Sequence, residues 1–335
     1  MSTGERVSIS IVIPTYNSEA YLDKTLESLT CQLLPDDQVI IVDDGSSDST
    51  VEIVKRYVDK YENFSYQLNK GIGPNTARNQ GINAATSDYI LFLDSDDYLC
   101  CDALSVLKSY VNQYSPDVIV YGYNFCRSQT GLISKACTPA LQHLLSKSEI
   151  LCLGFRSSVY GSVCWNKLVS TELLRNNNIY FIPDRVHGRD SVFSKEIALS
   201  ANSVLTIPDL IYTSVIREGS FSRSFSFTNI SSALNVAEHI YSLDVVLELK
   251  IYSVYNLFTH ILFLSYCRQE RSGYLAAYNA LYSWLSCHKY IDISVRFFLA
   301  HHLWKKLFFL SPRLSPYVNI VIFKLLLRFS SVTDY

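Results

Sequence analysis

Among its nine cysteines the chain has no CxxC pair, and an odd number leaves one thiol over in any complete disulfide scheme. A disulfide scaffold is therefore excluded, and the cysteines read as reduced, as in a cytoplasmic protein. The seven histidines show no HExxH or comparable ligand spacing, and His301 and His302 are neighbours that face different sides of a helix, so no histidine metal centre is assigned. A formal net charge of -2 gives no electrostatic case for nucleic-acid binding. No stretch reaches the roughly 18 uninterrupted apolar residues of a transmembrane helix. The nearest, 251–264, contains Asn256 and His260, follows Lys250, and reads as a buried helix. At the N-terminus, Glu5 and Arg6 are followed by too short an apolar segment before Pro14 for a signal peptide, so the expectation is a chain that is not secreted. Internal repeats and low-complexity linkers are also missing.

What is present is a long, apolar chain. Its 335 residues are 48% hydrophobic and 18% charged, enough for about two domains with ample core. The first 120 residues alternate apolar runs with helical patterns, the signature of βαβ units and a mostly parallel sheet flanked by helices, hence an α/β fold. Strands are expected near 7–13, 38–43, 64–68, 88–94 and 117–121. Tyr21, Leu22, Leu26 and Leu29 recur at helical spacing after Asn17 or Ser18, either of which suits an N-cap. Ser49-Thr50-Val51-Glu52 fits a capping box, which makes Asp48 and Ser49 helix-start residues. From about 122 to 225 the periodicity is irregular, and beyond about 227 it is helical. The expected division is 1–225, with a donor half to about 121 and an acceptor half beyond it, followed by a helical region at 226–335.

The densest chemistry lies in Tyr89-Ile90-Leu91-Phe92-Leu93-Asp94-Ser95-Asp96-Asp97. An apolar run that ends in clustered carboxylates reads as a buried strand aiming acids at a ligand, at the edge where open α/β sheets bind. Hard oxygen donors beside a phosphate favour Mg²⁺ or Mn²⁺. The alternative is a turn whose acids cap the next helix. Two further strands deliver polar clusters to the same edge, Pro14-Thr15-Tyr16-Asn17 after 7–13 and Asp43-Asp44-Gly45-Ser46-Ser47-Asp48 after 39–42. Gly71-Ile72-Gly73-Pro74-Asn75-Thr76-Ala77-Arg78-Asn79 combines a helix start with a guanidinium, a diphosphate contact in type. A surface turn with a solvated arginine fits it as well, and the GxGxxG dinucleotide fingerprint is incomplete.

Taken in order, Pro14-Thr15-Tyr16-Asn17, Val42-Asp43-Asp44-Gly45-Ser46-Ser47-Asp48, Ala77-Arg78-Asn79-Gln80-Gly81 and Phe92-Leu93-Asp94-Ser95-Asp96-Asp97 resemble the family 2 glycosyltransferases of the glycosyltransferase A fold. The resemblance covers about 8–100. It implies that Thr15, Tyr16, Asn17 and Asp44 hold base and ribose, that Arg78 supports the nucleotide or its phosphates, and that Asp94 and Ser95 contact the nucleotide-sugar. Asp96 would ligate Mn²⁺ or Mg²⁺, and Asp97 reads as a cap of the following helix.

The second half is similar to the family more loosely, through Cys164-Trp165-Asn166-Lys167-Leu168, Gly188-Arg189-Asp190-Ser191-Val192-Phe193 and Arg217-Glu218-Gly219-Ser220-Phe221-Ser222. By position the resemblance makes Asp190 the catalytic base, with Asp184 in reserve and a helix N-cap as the structural alternative. Arg189 stands where the family commonly has an acid. A cation there lowers a carboxylate's pKa, or instead faces an acidic acceptor group or a lipid phosphate. Trp165 and Lys167 are candidate acceptor contacts, Trp165 alternatively a core anchor. Arg217 and Ser220 fall where related enzymes place a loop near the diphosphate.

Between 295 and 330 the chain carries Arg296, Lys305, Lys306, Arg313, Lys324 and Arg328 and no acid, among many aromatic and aliphatic residues, with Pro312 and Pro316 dividing it. Such a segment suits the membrane interface. A helical cap or a homodimer interface are the alternatives. The combined expectation is a metal-dependent, inverting transferase that moves a sugar from a UDP-sugar to a hydroxyl of a glycan or polyprenyl-linked glycan. It would work on the inner face of the cell membrane, in surface-polysaccharide assembly. A nucleotidyltransferase would need a glycine-rich basic N-terminal loop that is not there. A non-catalytic nucleotide-binding scaffold subunit stays open as the alternative.

Overall fold

A strand in the middle of a sheet covered on both faces must bury every residue, and Ile9–Thr15 does so along all seven positions. In chain order the elements are β1 (Ile9–Thr15), α1 (Leu22–Thr30), β2 (Gln38–Asp43), α2 (Thr50–Lys60), β3 (Phe64–Leu68), α3 (Pro74–Ala84), β4 (Tyr89–Phe92), β5 (Tyr98–Leu99), α4 (Ala103–Tyr114) and β6 (Val118–Arg127), followed by β7 (Ile133–Cys137), β8 (His143–Leu145), α5 (Lys147–Arg156), β9 (Lys167–Ser170), α6 (Thr171–Asn176), α7 (Arg189–Ser200), β10 (Val204–Ile216) and α8 (Thr228–Ser242). The computed structural model describes residues 7–69, 73–128, 133–139, 142–157, 160–161, 163–183, 189–217 and 228–246, with 249–250, 253–254, 257, 280 and 283.

The sheet order is β3-β2-β1-β4-β9-β6-β10-β5, with β7 on β6 and β8 on β10. The first four strands in that order are parallel, as expected. The sheet then turns mixed, because β9 runs antiparallel to both β4 and β6. β9 starts at the functional edge and runs back to Ser170, whose Oγ accepts from the Leu173 amide and starts α6 directly, so it inserts without a crossover helix. β10 is parallel to β6 but antiparallel to β5, and its register shifts between Thr206 and Tyr212.

Period-two alternation sorts the strands onto two cores. Ile9, Ile11, Ile13, Leu91 and Leu93 face the side of Leu22, Leu26 and Leu104. Val12, Ile90 and Phe92 face the side of Ala77, Ile82, Phe181 and Phe193. Gly81 permits the second of these contacts. A Cβ added to it would lie 2.2 Å from Val12 Cγ1, so α3 approaches β1 only because the side chain is missing.

The helix starts differ from those expected. α1 begins after Tyr21 with no side-chain cap, and the Ser18 carbonyl, not a hydroxyl or amide side chain, accepts from the Tyr21 and Leu22 amides. At α2 the Ser49–Glu52 box does not form. Glu19 Oε2 accepts from the Ser49 amide at 2.9 Å, the donor that the Glu52 side chain would have taken in the box, and Asp48 Oδ1 accepts from the neighbouring Thr50 amide at 3.0 Å. A capping box does form at α5, between Ser146 and Glu149.

The chain divides into two compact units, Met1–Ser220 and Phe221–Tyr335. In the second, α8 buries Ile230, Ala233, Val236, Ala237 and Ile240 at helical spacing. The basic segment 295–330 lies outside the described residues. Among those described, no helix is long and apolar enough to cross a membrane, and the cysteines are free thiols.

Candidate active site

The acids after β4 form a turn, closed by the Asp97 amide donating to the Asp94 carbonyl at 3.0 Å. Each carboxylate takes a different partner. Asp94 Oδ1 accepts from Arg78 Nη2 at 2.8 Å. Asp96 pairs with Arg217, the last described residue after β10. Asp97, buried at 4% exposure, accepts from the Tyr212 hydroxyl and the Val215 amide, both at 2.6 Å. Asp97 therefore does not cap the next helix, which starts only at Ala103. A buried carboxylate needs donors, and β10 supplies them.

Tyr212 is the organiser that sequence reasoning missed. Its hydroxyl donates to Asp97 and accepts from the Asp94 amide at 3.2 Å, so one phenol fixes both ends of the turn. Its ring stacks on Trp165 with centroids 4.6 Å apart, and Trp165 meets Tyr123 edge-on at 4.7 Å. Trp165 thus packs as the anchor behind the turn. Burial pushes the Asp97 carboxyl well up, and Asp96 and Asp94 push it further, against the two hydrogen bonds. Asp96 is raised by burial and then by Asp94, with Arg217 opposing.

Facing this turn, α3 and α7 place Arg78 and Asp190. Arg78 is 7% exposed. Besides Asp94 it reaches Asp190 Oδ1 from Nη1 at 3.7 Å and Asn75 Oδ1 at 3.3 Å, with its guanidinium 5.4 Å from the Phe181 ring centre. The segment bearing Phe181 is laced to α3, since Asn79 exchanges hydrogen bonds with the Phe181 backbone at 2.7 and 2.8 Å. Asp190 Oδ2 also accepts from the buried Cys164 thiol at 3.7 Å. Burial raises the Asp190 carboxyl above the ordinary carboxylate range, with Arg78 pulling the other way. Since its side chain remains 30% exposed, a hydroxyl arriving from solvent can reach it. Among the described residues the cation paired with Asp190 is Arg78, with Lys167 adding a weaker influence; the side chain of Arg189 lies outside the described residues.

The loops after β1 and β2 join this edge. Asn17 takes a left-handed backbone, φ 47, and its amide and Oδ1 bond to Ser46 Oγ and the Ser47 amide, both at 2.9 Å. Ser18 and Ser95 share a hydroxyl contact at 2.7 Å, tying the first loop to the acid turn. Thr15 is buried, its carbonyl accepting from the Asp44 amide at 2.8 Å. Asp44 Oδ1 accepts from Asn69 Nδ2 and the Gly73 amide, both at 2.8 Å, holding the start of α3 in place. Tyr16 is 53% exposed, presenting a ring to solvent at the rim.

Lys167 is a correction. It does not line the cleft. Its ammonium turns inward and donates to the carbonyls of Tyr160 and Val163 and to Asn166 Oδ1, all at 2.6 Å. Burial pushes its pKa down to about 7. Ser220 and Asp184 lie outside the described residues.

Among the described residues no group of three or more His, Cys, Asp or Glu side chains makes a ready metal cage. The donor chemistry nonetheless fits a hard divalent ion: Asp94 and Asp96 offer hard carboxylate oxygens on one turn, and such ions are commonly held by one or two carboxylates with phosphate and water completing the shell.

A mixed sheet whose parallel half delivers such a turn, with the Asp190 carboxylate opposite, is the glycosyltransferase A fold, and solved structures share it. The Staphylococcus aureus TarS 1-349 complex with UDP-GlcNAc superposes with a TM-score of 0.63 at 23% identity, covering 83% of this chain and 81% of that one. The Pyrobaculum calidifontis mannosyltransferase PcManGT, in complex with GDP-Man and Mn²⁺, does so at 0.55 and 15%, covering 95% and 84%. Residues 10–168 match the model of glycosyl transferase family 2, the family that the motifs resemble. It is 28% identical over 243 residues to the cholesterol galactosyltransferase of Borreliella burgdorferi, covering 70% of this chain and 67% of that protein. To the S. aureus poly(ribitol-phosphate) beta-N-acetylglucosaminyltransferase TarS it is 30% identical over 210 residues, 62% of this chain but 35% of TarS. This chain therefore spans about a third of TarS.

Proposed function

We propose that this glycosyltransferase moves one sugar from a UDP-sugar to a hydroxyl of a glycan or polyprenyl-linked glycan, inverting the anomeric centre, in bacterial surface-polysaccharide assembly. The observation that carries this reading is the reach of one guanidinium. Arg78 bonds Asp94 at 2.8 Å and lies 3.7 Å from Asp190, so the donor-side carboxylate and the base flank a single buried cation.

Asp190 accepts the acceptor hydroxyl's proton as that oxygen attacks the anomeric carbon and the bond to the diphosphate breaks on the opposite face. A carboxyl raised by burial is a stronger base than a solvated one. Arg78 and Arg217 place positive charge where the leaving diphosphate gains negative charge. Each has an Nε that is buried without a hydrogen-bond partner among the described residues. Asp96, with Asp94 beside it, would hold Mn²⁺ or Mg²⁺, which when bound supplies Lewis-acid charge to the leaving group. Exposed Tyr16 suits stacking on the base.

A UDP donor is favoured by the UDP-GlcNAc named with TarS, a sequence relative. The GDP-Man and Mn²⁺ of the mannosyltransferase support the wider class of nucleotide-sugar and metal. The poly(ribitol-phosphate) acceptor in the TarS name supports a surface-polymer acceptor. The experiment is a pair of assays on Asp190→Asn: UDP affinity within about threefold of wild type, and transfer from UDP-sugars lowered by about 10²-fold or more. Retained transfer would remove Asp190 as the base, and donor binding by the wild type without turnover on any acceptor would favour a scaffold subunit. We place the enzyme at the membrane surface through 295–330; unchanged membrane fractionation after deletion of 295–335 would remove that placement.

A further inference from the structure

Around the acid turn the two arginines are held very differently. Arg78 lies between Asp94, Asp190 and Asn75, with its side chain 8% exposed. Arg217 is 31% exposed and among the described residues has one carboxylate partner, Asp96 Oδ2, plus a stack on Tyr21 with its guanidinium 4.6 Å from the ring centre. Its Nε is buried and unpartnered among the described residues. Asp96 is also the carboxylate assigned to the metal. A guanidinium and a divalent cation repel each other and seek the same oxygen, so they do not occupy it together.

We infer that Arg217 is an internal competitor of the metal: in the donor-free protein it neutralises Asp96, and binding of the metal with a nucleoside diphosphate transfers the guanidinium from Asp96 to the diphosphate. The inference rests on the donor-site reading above and adds an energetic consequence. Metal alone must displace a cation with nothing to receive it, and so binds weakly. Metal with diphosphate releases Arg217 onto a new anion, so each ligand raises the affinity of the other by the same factor. The Tyr21 ring gives the guanidinium a face to rest on during the exchange. Asp96 is thus kept from metal-only occupancy.

The test is titration of Mn²⁺ followed by the electron paramagnetic resonance of the free ion, with and without UDP. Wild type, Arg217→Gln, Arg217→Lys and Asp96→Asn are compared, each checked for folding by thermal melt. Without UDP, Arg217→Gln is expected to bind Mn²⁺ about tenfold more tightly than wild type, about 1.4 kcal/mol. The factor by which UDP strengthens Mn²⁺ binding should shrink by a similar amount. Arg217→Lys, which keeps the charge, stays within about threefold of wild type. The inference is overturned if folded Arg217→Gln binds Mn²⁺ alone no more tightly than wild type, or if Arg217→Lys binds it as tightly as Arg217→Gln. In both cases, Asp96-dependent binding of Mn²⁺ with UDP by the wild type leaves the donor site standing. Absence of any Mn²⁺ binding with UDP in wild type and Arg217→Gln alike overturns the site and the inference together.

Discussion

Replacing Tyr212 with Phe removes one oxygen from the centre of the site and leaves the ring, with its 4.6 Å stack on Trp165, in place. The lost hydroxyl donates to the Asp97 carboxylate at 2.6 Å and accepts from the Asp94 amide at 3.2 Å. A hydrogen bond to a charged group contributes about 1.5–3 kcal/mol and a neutral one about 1 kcal/mol, so we expect a loss of about 3 kcal/mol. For a unit the size of Met1–Ser220, each kcal/mol shifts Tm by about 2–4 °C, which gives a drop of about 6–12 °C. The loss should also depend on pH. The Asp97 carboxyl is raised in the folded state, so its contribution is most favourable below its unfolded pKa of about 3.9 and is lost as pH rises through the folded value. Tyr212 opposes that loss by stabilising the ionised form, so removing its hydroxyl should hurt more at pH 8 than at pH 5. Denaturant unfolding at both pH values measures this. A loss below about 0.5 kcal/mol at each pH, the level of an ordinary surface change, would refute Tyr212 as the anchor of the turn.

Two further outcomes follow from the geometry. As the proposed base, Asp190 must be ionised to accept a proton, and burial raises its pKa, so the acid limb of the kcat/KM profile should lie above the ordinary Asp value of about 3.9. A limb at or below that value would contradict the burial of the base. Gly81→Ala places a Cβ 2.2 Å from Val12 Cγ1, and overpacking of this kind costs about 1–3 kcal/mol. A thermal melt within about 1 °C of wild type would show that α3 has room to move away from β1.

The parts of this fold legible in the sequence are those whose signals are local. Four-to-seven-residue buried runs ending in polar clusters gave the positions of β1, β2 and β4, and a parallel neighbourhood follows from their double-sided burial. Arg78 and Asp94 were legible as family positions, and their contact, 16 residues apart in the chain, follows from the α3–β4 connection. What stayed hidden depends on distant partners. Asp97 meets Tyr212 and Val215 across 115 and 118 residues, and no spacing rule announces a tyrosine in an apolar strand as the anchor of a turn. β9 is four residues long and antiparallel, too short for its periodicity to show. Lys167 has the type of a surface or cleft residue, and only the three acceptors folded around it explain its burial. At α2, Ser49 and Glu52 have the spacing of a capping box, but Glu19, 30 residues away, takes the Ser49 amide, and Asp48 takes the neighbouring Thr50 amide.

The central claim is a metal-linked nucleotide site built on Asp96. Isothermal titration of UDP and of GDP, each with and without Mn²⁺, against wild type and Asp96→Asn tests it most directly. The account predicts UDP binding that Mn²⁺ strengthens and that Asp96→Asn loses. Binding of neither nucleotide in a metal-dependent way, or binding unchanged by Asp96→Asn, would contradict it.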